Sequence, residues 1–295
     1  MNELAIELKL DRIHCHDEGD GPGNAEPYLW TVFFKVDGET VTAVTDGPGS
    51  PHLEGAPTVV GTPGNHGNLG TTDVDEGDDV MVPAIIGEYR TTLKPIPLSQ
   101  PIASIDAVGG IIGCVMILME EDGTPNGAIA RGHEALDRAM RDALASQVAQ
   151  VSISQPTPTE ADLEALTSQV SQAVKSSIKD ALNVFDWLGA LGNNDDQIGT
   201  YVVFFTHDDL ANRAGQVIPF SHRWPNEGDW EIFGHVSAKV LPKREIPCCE
   251  ELKKRVTAIE ELLKKLQSRA PVKVPTRGRT LRFDATDGRR RMNTD

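Results

Sequence analysis

Leu4, Ile6, Leu8 and Leu10 alternate with Glu3, Glu7, Lys9 and Asp11, the two-residue period of a strand with one wet face. The stretch 28–36, YLWTVFFKV, is aromatic and β-branched and predicts a second strand. Asp37-Gly38 follows it as a hairpin signal, which lets residues 40–44 pair back. Residues 46–79 hold Gly and Pro at close intervals and few large apolar side chains, the texture of a long surface excursion. Val80, Val82, Ile85 and Ile86 restore an apolar strand, with Pro83 marking an edge or a bulge, and a proline-rich link over 95–101 leads on. The longest apolar run, 107–119 (AVGGIIGCVMILM), is too short for a bilayer span, which takes about 20 residues, and its three glycines disfavour a helix. It predicts a strand buried on both faces that emerges into water at Glu120, Glu121 and Asp122.

Beyond Asp122 the period changes. Ile129, His133, Leu136, Met140, Leu144 and Val148 recur every three or four residues, one apolar stripe of a helix. Gln155-Pro156-Thr157-Pro158 breaks it, Thr159 to Asp162 reads as a capping box, and Leu163, Leu166, Val170, Val174, Ile178, Leu182 and Phe185 continue the stripe towards Gly192. Two such helices with a short joint make an antiparallel hairpin. Strands resume at 201–205 (YVVFF) and at Trp230, Ile232, Gly234, Val236 and Ala238. A last helix, 250–268, carries Leu252, Val256, Ile259, Leu263 and Leu266 at heptad spacing. The expected fold class is α+β: a mainly antiparallel β-sandwich from residues 1–122 and 198–241, with an inserted helical hairpin over 123–197. An amphipathic C-terminal helix within 242–268 and a flexible basic tail, 269–295, complete the chain.

The formal net charge of −16 is unevenly placed: residues 269–295 hold eight Arg or Lys against three Asp, so the remainder carries −21. An acidic body disfavours nucleic acid, whose phosphates need clustered Lys and Arg, and favours cations or basic protein surfaces. The tail offers a site for an anionic protein partner. Four cysteines, Cys15, Cys114, Cys248 and Cys249, are too few for a disulfide framework in a chain of 295 residues, so reduced thiols are expected. The opening MNELAIELKLD has neither the basic segment nor the apolar core of a secretory signal. A cytoplasmic location is expected, with export by a dedicated system as the other route.

Three expected strands end in acids: Asp17, Glu18 and Asp20; Glu120, Glu121 and Asp122; and Asp208 with Asp209, just after His207. If these strands run alike, the carboxylates gather at one end, where calcium, which takes six to eight oxygen ligands, would relieve their repulsion. The acidic run over 73–79 shares the content of a calcium loop but lacks the closing Glu of an EF-hand. On these loop acids, over residues 1–122 and 198–241, the chain resembles the calcium-binding C2-type modules. That resemblance implies metal held at one end of an all-β sandwich against a lipid headgroup. The inserted helices depart from that family, and no basic patch flanks the loops.

A second constellation is His14-Cys15-His16-Asp17. On a strand the two histidines share a face, and with Asp17 and His207 they would make a transition-metal hydrolase site. No G-x-S-x-G, P-loop or dinucleotide fingerprint is present; Cys114 sits inside the apolar run, and Trp187, Trp224 and Trp230 read as core. The expected function is a non-enzymatic calcium-binding protein that acts in binding or assembly and forms homo-oligomers through the 250–268 helix. The alternatives are the metal hydrolase and a membrane-active effector whose helical hairpin detaches, an event that its Ala- and Ser-rich stripe makes costly.

Overall fold

β1 (Leu4–Asp17) keeps the alternation read from its sequence, with Leu4, Ile6, Leu8 and Leu10 buried. It also continues past that stretch. A bulge near Asp11 resets the phase, so that Ile13 and Cys15 remain inward while Arg12, His14 and His16 face out. The computed structural model describes residues 1–19, 24–44, 52–102, 105–121, 125–149, 151, 197–225, 228–242 and 247–267. These fall into two units, Met1–Lys243 and Arg244–Asp295.

In the first unit β2 (Pro27–Val36) and β10 (Ile111–Glu120) pair antiparallel along their whole lengths, from Ile111 opposite Val36 to Glu120 opposite Pro27. All ten residues of each strand are buried. β11 (Gln197–Thr206) lies on the far side of β10 and β5 (Thr58–Gly61) on the far side of β2, giving the order β11-β10-β2-β5. Apolar side chains alternate along β10 between two cores. Ile111, Val115, Ile117 and Met119 join Tyr28, Trp30, Val32 and Phe34 of β2 in one cluster, together with the buried stripe of α2 (Asn126–Val148). Ile112, Cys114, Met116 and Leu118 join Leu29 and Phe33 in the other, with the inward residues of β1 and β13 (Asp229–Val240). The strand expected to be buried on both faces is therefore found, and the buried stripe of α2 contains all six residues of the expected one, with Gly132 added.

The second large sheet runs β12-β13-β1-β6, where β12 is Val217–Trp224 and β6 is Asp79–Met81; β7 (Glu88–Leu93) also pairs with β1, alongside Leu4–Lys9. A small sheet contains β4 (His52–Gly55), β3 (Val41–Val44), β8 (Ile96–Ile102) and β9 (Ile105–Val108). Most pairings are antiparallel, which makes the chain α+β with a predominance of antiparallel sheet.

Several local expectations are overturned. β3 does not fold back on β2 but pairs with β4 and touches β8. Asp37 explains the diversion. Its carboxylate takes the Lys35 ammonium at 3.2 Å and the Lys94 backbone N–H at 2.9 Å, and its carbonyl accepts from Thr40 and Val41, so the turn is pinned to the end of β7. The excursion over 46–79 contributes two strands, β4 and β5, and buries Leu69 and Val74. Residues 80–86 divide between β6 and a single helical turn, α1 (Ala84–Gly87), and the proline-rich link forms most of β8. β12, unexpected, alternates inward Ile218, Phe220, His222 and Trp224 with exposed residues. Trp224 and Trp230 are core residues as expected, while Trp187, the second helix of the hairpin, and the basic tail lie outside the described residues.

α3 (His207–Asn212) occupies the place where an acidic loop was expected. The second unit contains α4 (Pro247–Gln267), which follows the expected heptad helix closely.

Lys35 and Asp37 are 1% and 0% exposed. Burial by itself would lower the Lys35 pKa, but its bonds to Glu39 and Asp37 outweigh that and hold the ammonium above its ordinary value. Lys35→Met strands the Asp37 carboxylate in the core and is expected to destabilise the body by about 3–5 kcal/mol in urea melts. Gly113 lies where a Cβ would come 2.5 Å from the Val203 carbonyl oxygen and from the Phe34 ring. Gly113→Ala is expected to cost about 1–3 kcal/mol in the same measurement, because the backbone on one side cannot yield.

Candidate functional site

The acids do not converge as one rim. β10 and β11 are antiparallel neighbours, with Ile111 opposite Thr206 and Met119 opposite Gln197, so their C-terminal ends point to opposite poles, about 30 Å apart at 3.3 Å per residue. Glu120 and Glu121 stand at the pole where β2 begins, and Glu121 donates its backbone N–H to the Glu26 carbonyl. The end of β1 belongs to this pole too: Cys15 exchanges backbone bonds with Gly77 and Asp78, and Val74 pairs with Ala25. Asp208 and Asp209 are at the other pole, where His207 donates its backbone N–H to Gly110 and its Nε2 lies 2.7 Å from the Asn2 carbonyl. The described acids are thus divided between two poles, and Asp20 and Asp122 lie outside the described residues.

Each acid that is described has a local environment of its own. Asp17 accepts the Gly19 N–H at 3.0 Å. The Glu18 Oε2 is buried without a hydrogen-bond partner. Glu120 is buried, and Glu121 meets His66 Nδ1 at 3.0 Å. Asp209 closes a capping box with Thr206, a role that acids at the third helical position fill by accepting an otherwise unpaired N–H, and Asp208 lies 3.7 Å from His207 Nδ1. Among the described residues no group of three His, Cys, Asp or Glu side chains is placed to hold a metal ion.

The hydrolase constellation also divides. His14 and His16 stand side by side on the outer face of β1, ring centroids 4.4 Å apart, but His207 is beyond the opposite end of that strand. His207 Nδ1, moreover, is buried with no hydrogen-bond partner. The outer face of this sheet is laced with charge. Arg12 and His14 share Asp79, His16 meets Glu231, His235 meets Asp11, and Arg223 meets Asp229.

A third polar group, not foreseen, lies under α2. His133 and Asp137 are one turn apart and lean towards the loop after β5. Only glycine allows this approach: a Cβ at Gly61 would fall 1.8 Å from the Asp137 carboxylate, and one at Gly64 would fall 2.4 Å from the His133 ring. His133 packs edge-on to Trp30 at 5.5 Å, and the Trp30 Nε1–H donates to the Gly64 carbonyl at 2.9 Å. His133 Nε2 and Asp137 Oδ1 are both buried without a partner. Burial drives the His133 pKa down to about 4, against a hydrogen bond to the Thr31 backbone. Burial likewise raises Asp137 to about 6, with Arg141 opposing and Glu134 assisting. The sequence placed His133 on the inner stripe; the glycines that seat it against the sheet are 70 residues away and carry no periodic signal.

Between about pH 4 and 6 both groups are neutral, which is the state a buried helix face favours. The raised Asp137 contributes stability that is complete below pH 3.8 and is lost as pH climbs through about 6; the lowered His133 contributes stability present above pH 6.5 and lost as pH falls towards 4. Asp137→Asn is therefore expected to stabilise the body at pH 8 by about 1–2 kcal/mol, after allowance for partial exposure, and to leave it unchanged at pH 4.5. His133→Gln should flatten the acid limb, with both effects read from urea melts across pH 4–8. Comparison with known proteins finds no family model, no curated protein and no solved structure that matches this chain.

Proposed function

We propose that this is a non-enzymatic assembly protein, in which a β-sandwich body formed by the two large sheets is displayed by C-terminal helices that associate with copies of themselves. The observation that carries the reading is the apolar seam of α4. Leu252, Val256, Ile259, Leu262 and Leu263 are 48–63% exposed on a helix of 21 residues. A lone helix of that length is marginal in water, and most helical stability comes from covering an apolar face.

A second copy fits this face by pattern and by charge. With Val256 and Leu263 at a positions, Leu252 and Ile259 fall at d. In a parallel pair Arg255, at g, faces Glu260 of its neighbour, at e, whereas an antiparallel pair centred on Glu260 would bring two carboxylates together. Leu262 at g widens the seam. Among the described residues no helix is long and apolar enough to cross a membrane. Calcium capture by three acidic loops is no part of the proposal, because α3 carries Asp208 and Asp209 to the far pole.

Sedimentation equilibrium of the full chain tests it. An oligomer is expected at micromolar concentration, and Ile259→Asp with Leu263→Asp should return a monomer whose body melts at the unaltered temperature. A monomeric wild-type chain at tens of micromolar would remove the basis of the reading.

A further inference from the structure

The outer face of β1 carries an arrangement that assembly leaves unused. His14 and His16 are two residues apart on a strand, so their Cα atoms are separated by about 6.6 Å. Their ring centroids are only 4.4 Å apart, edge to face, which means that the side chains lean together. Each ring has one nitrogen engaged by a carboxylate from a neighbouring strand. His14 Nδ1 lies 3.0 Å from Asp79 Oδ1 on β6, and His16 Nε2 lies 3.2 Å from Glu231 Oε2 on β13. His14 Nε2 and His16 Nδ1 make no hydrogen bond among the described residues.

A carboxylate that accepts from one ring N–H selects the tautomer whose lone pair is on the other nitrogen. Histidine ligands of metals are commonly backed in this way, and the outer carboxylate raises their basicity. The backing is itself anchored: Asp79 also holds the Arg12 guanidinium, which rests over the Phe233 ring at 3.8 Å. The two imidazoles are 26% and 27% exposed, open to an ion arriving from water. Asp17, Asp229 and Glu231 add negative charge at this end of the sheet, against Arg12 and Arg223.

We propose that His14 and His16 form a two-imidazole chelate for a divalent transition metal of the copper, nickel and zinc class, with Asp79 and Glu231 as its outer acceptors. Water fills the remaining positions. Imidazole nitrogen suits these ions, whereas calcium and magnesium take oxygen. With two protein ligands the ion is exchangeable, unlike a closed structural zinc site with four. The site is independent of the helix-mediated assembly and of any role for His207.

Titration of the full chain with copper(II), nickel(II) or zinc(II) alone, with calcium as the control, tests the site. The expected result is one tight equivalent of copper whose paramagnetic resonance spectrum shows two equatorial nitrogens, weaker nickel and zinc binding, and no heat from calcium. His14→Gln and His16→Gln should each lose one nitrogen and at least tenfold in affinity. Asp79→Asn should weaken binding about tenfold and keep both nitrogens, as loss of an outer-shell partner does. Circular dichroism of each metal-free variant establishes that it folds. In the unaltered chain, substoichiometric copper should broaden the ring proton signals of His14 and His16 before those of the other histidines. Unchanged copper affinity in the folded double variant, a single-nitrogen spectrum, or earlier broadening of another histidine overturns the proposal and leaves the ring contact as packing alone.

Discussion

β2 and β10 have no wet face, and the body is built outward from that fact. A pair of strands buried on both sides must be covered twice, and the side-chain period of two sends alternate residues to separate cores. One core takes the inward face of β1 and β13; the other takes α2 and residues of the small sheet. Gly113 marks how closely the strands approach, since the Val203 carbonyl and the Phe34 ring fill the space where a side chain would stand. Lys35, carried into this region by β2, is satisfied there by Asp37, Glu39 and the Thr92 carbonyl.

Among the described residues, polar side chains also gather in two further places. The outer face of β1 and its neighbours holds paired charges in contact with solvent, where each pair adds little stability but fixes side-chain orientation. The underside of α2 holds two buried titratable groups, His133 and Asp137, whose cost depends on pH. The helix is thereby seated by apolar contacts and tuned by titration.

What could be read from the sequence was local. The run around Cys114 announced a doubly buried strand because apolar residues occupied both phases, and the stripe from Ile129 to Val148 announced the buried side of α2. The alternation of β1 was visible to Asp11 and the shared face of His14 and His16 beyond it, but not the bulge between them that shifts the phase. β12 escaped notice because Pro219, Ser221 and Arg223 dilute a short edge strand. Described acids stand at the ends of β1 and β10 and just after β11, and the last of these lie at the opposite pole. Whether Glu121 and Asp208 share a pole depends on the order of strands in the sheet, and no periodicity encodes that order.

β10 and β11 lie side by side, and Met119 stands across from Gln197, so a tight turn would suffice to join them. Instead Glu120 and Gln197 are joined through residues 121–196, a stretch of sequence that includes α2. Each doubling of a connection's length adds about 0.6 kcal/mol to the entropy of closing it, so replacing a tight turn by this stretch costs about 3 kcal/mol, which burial of the α2 stripe offsets. The β10–β11 register is set by the pairing itself and so places no demand on the length of that connection, while α2 within it is tied to the core through the buried side chains from Ile129 to Val148.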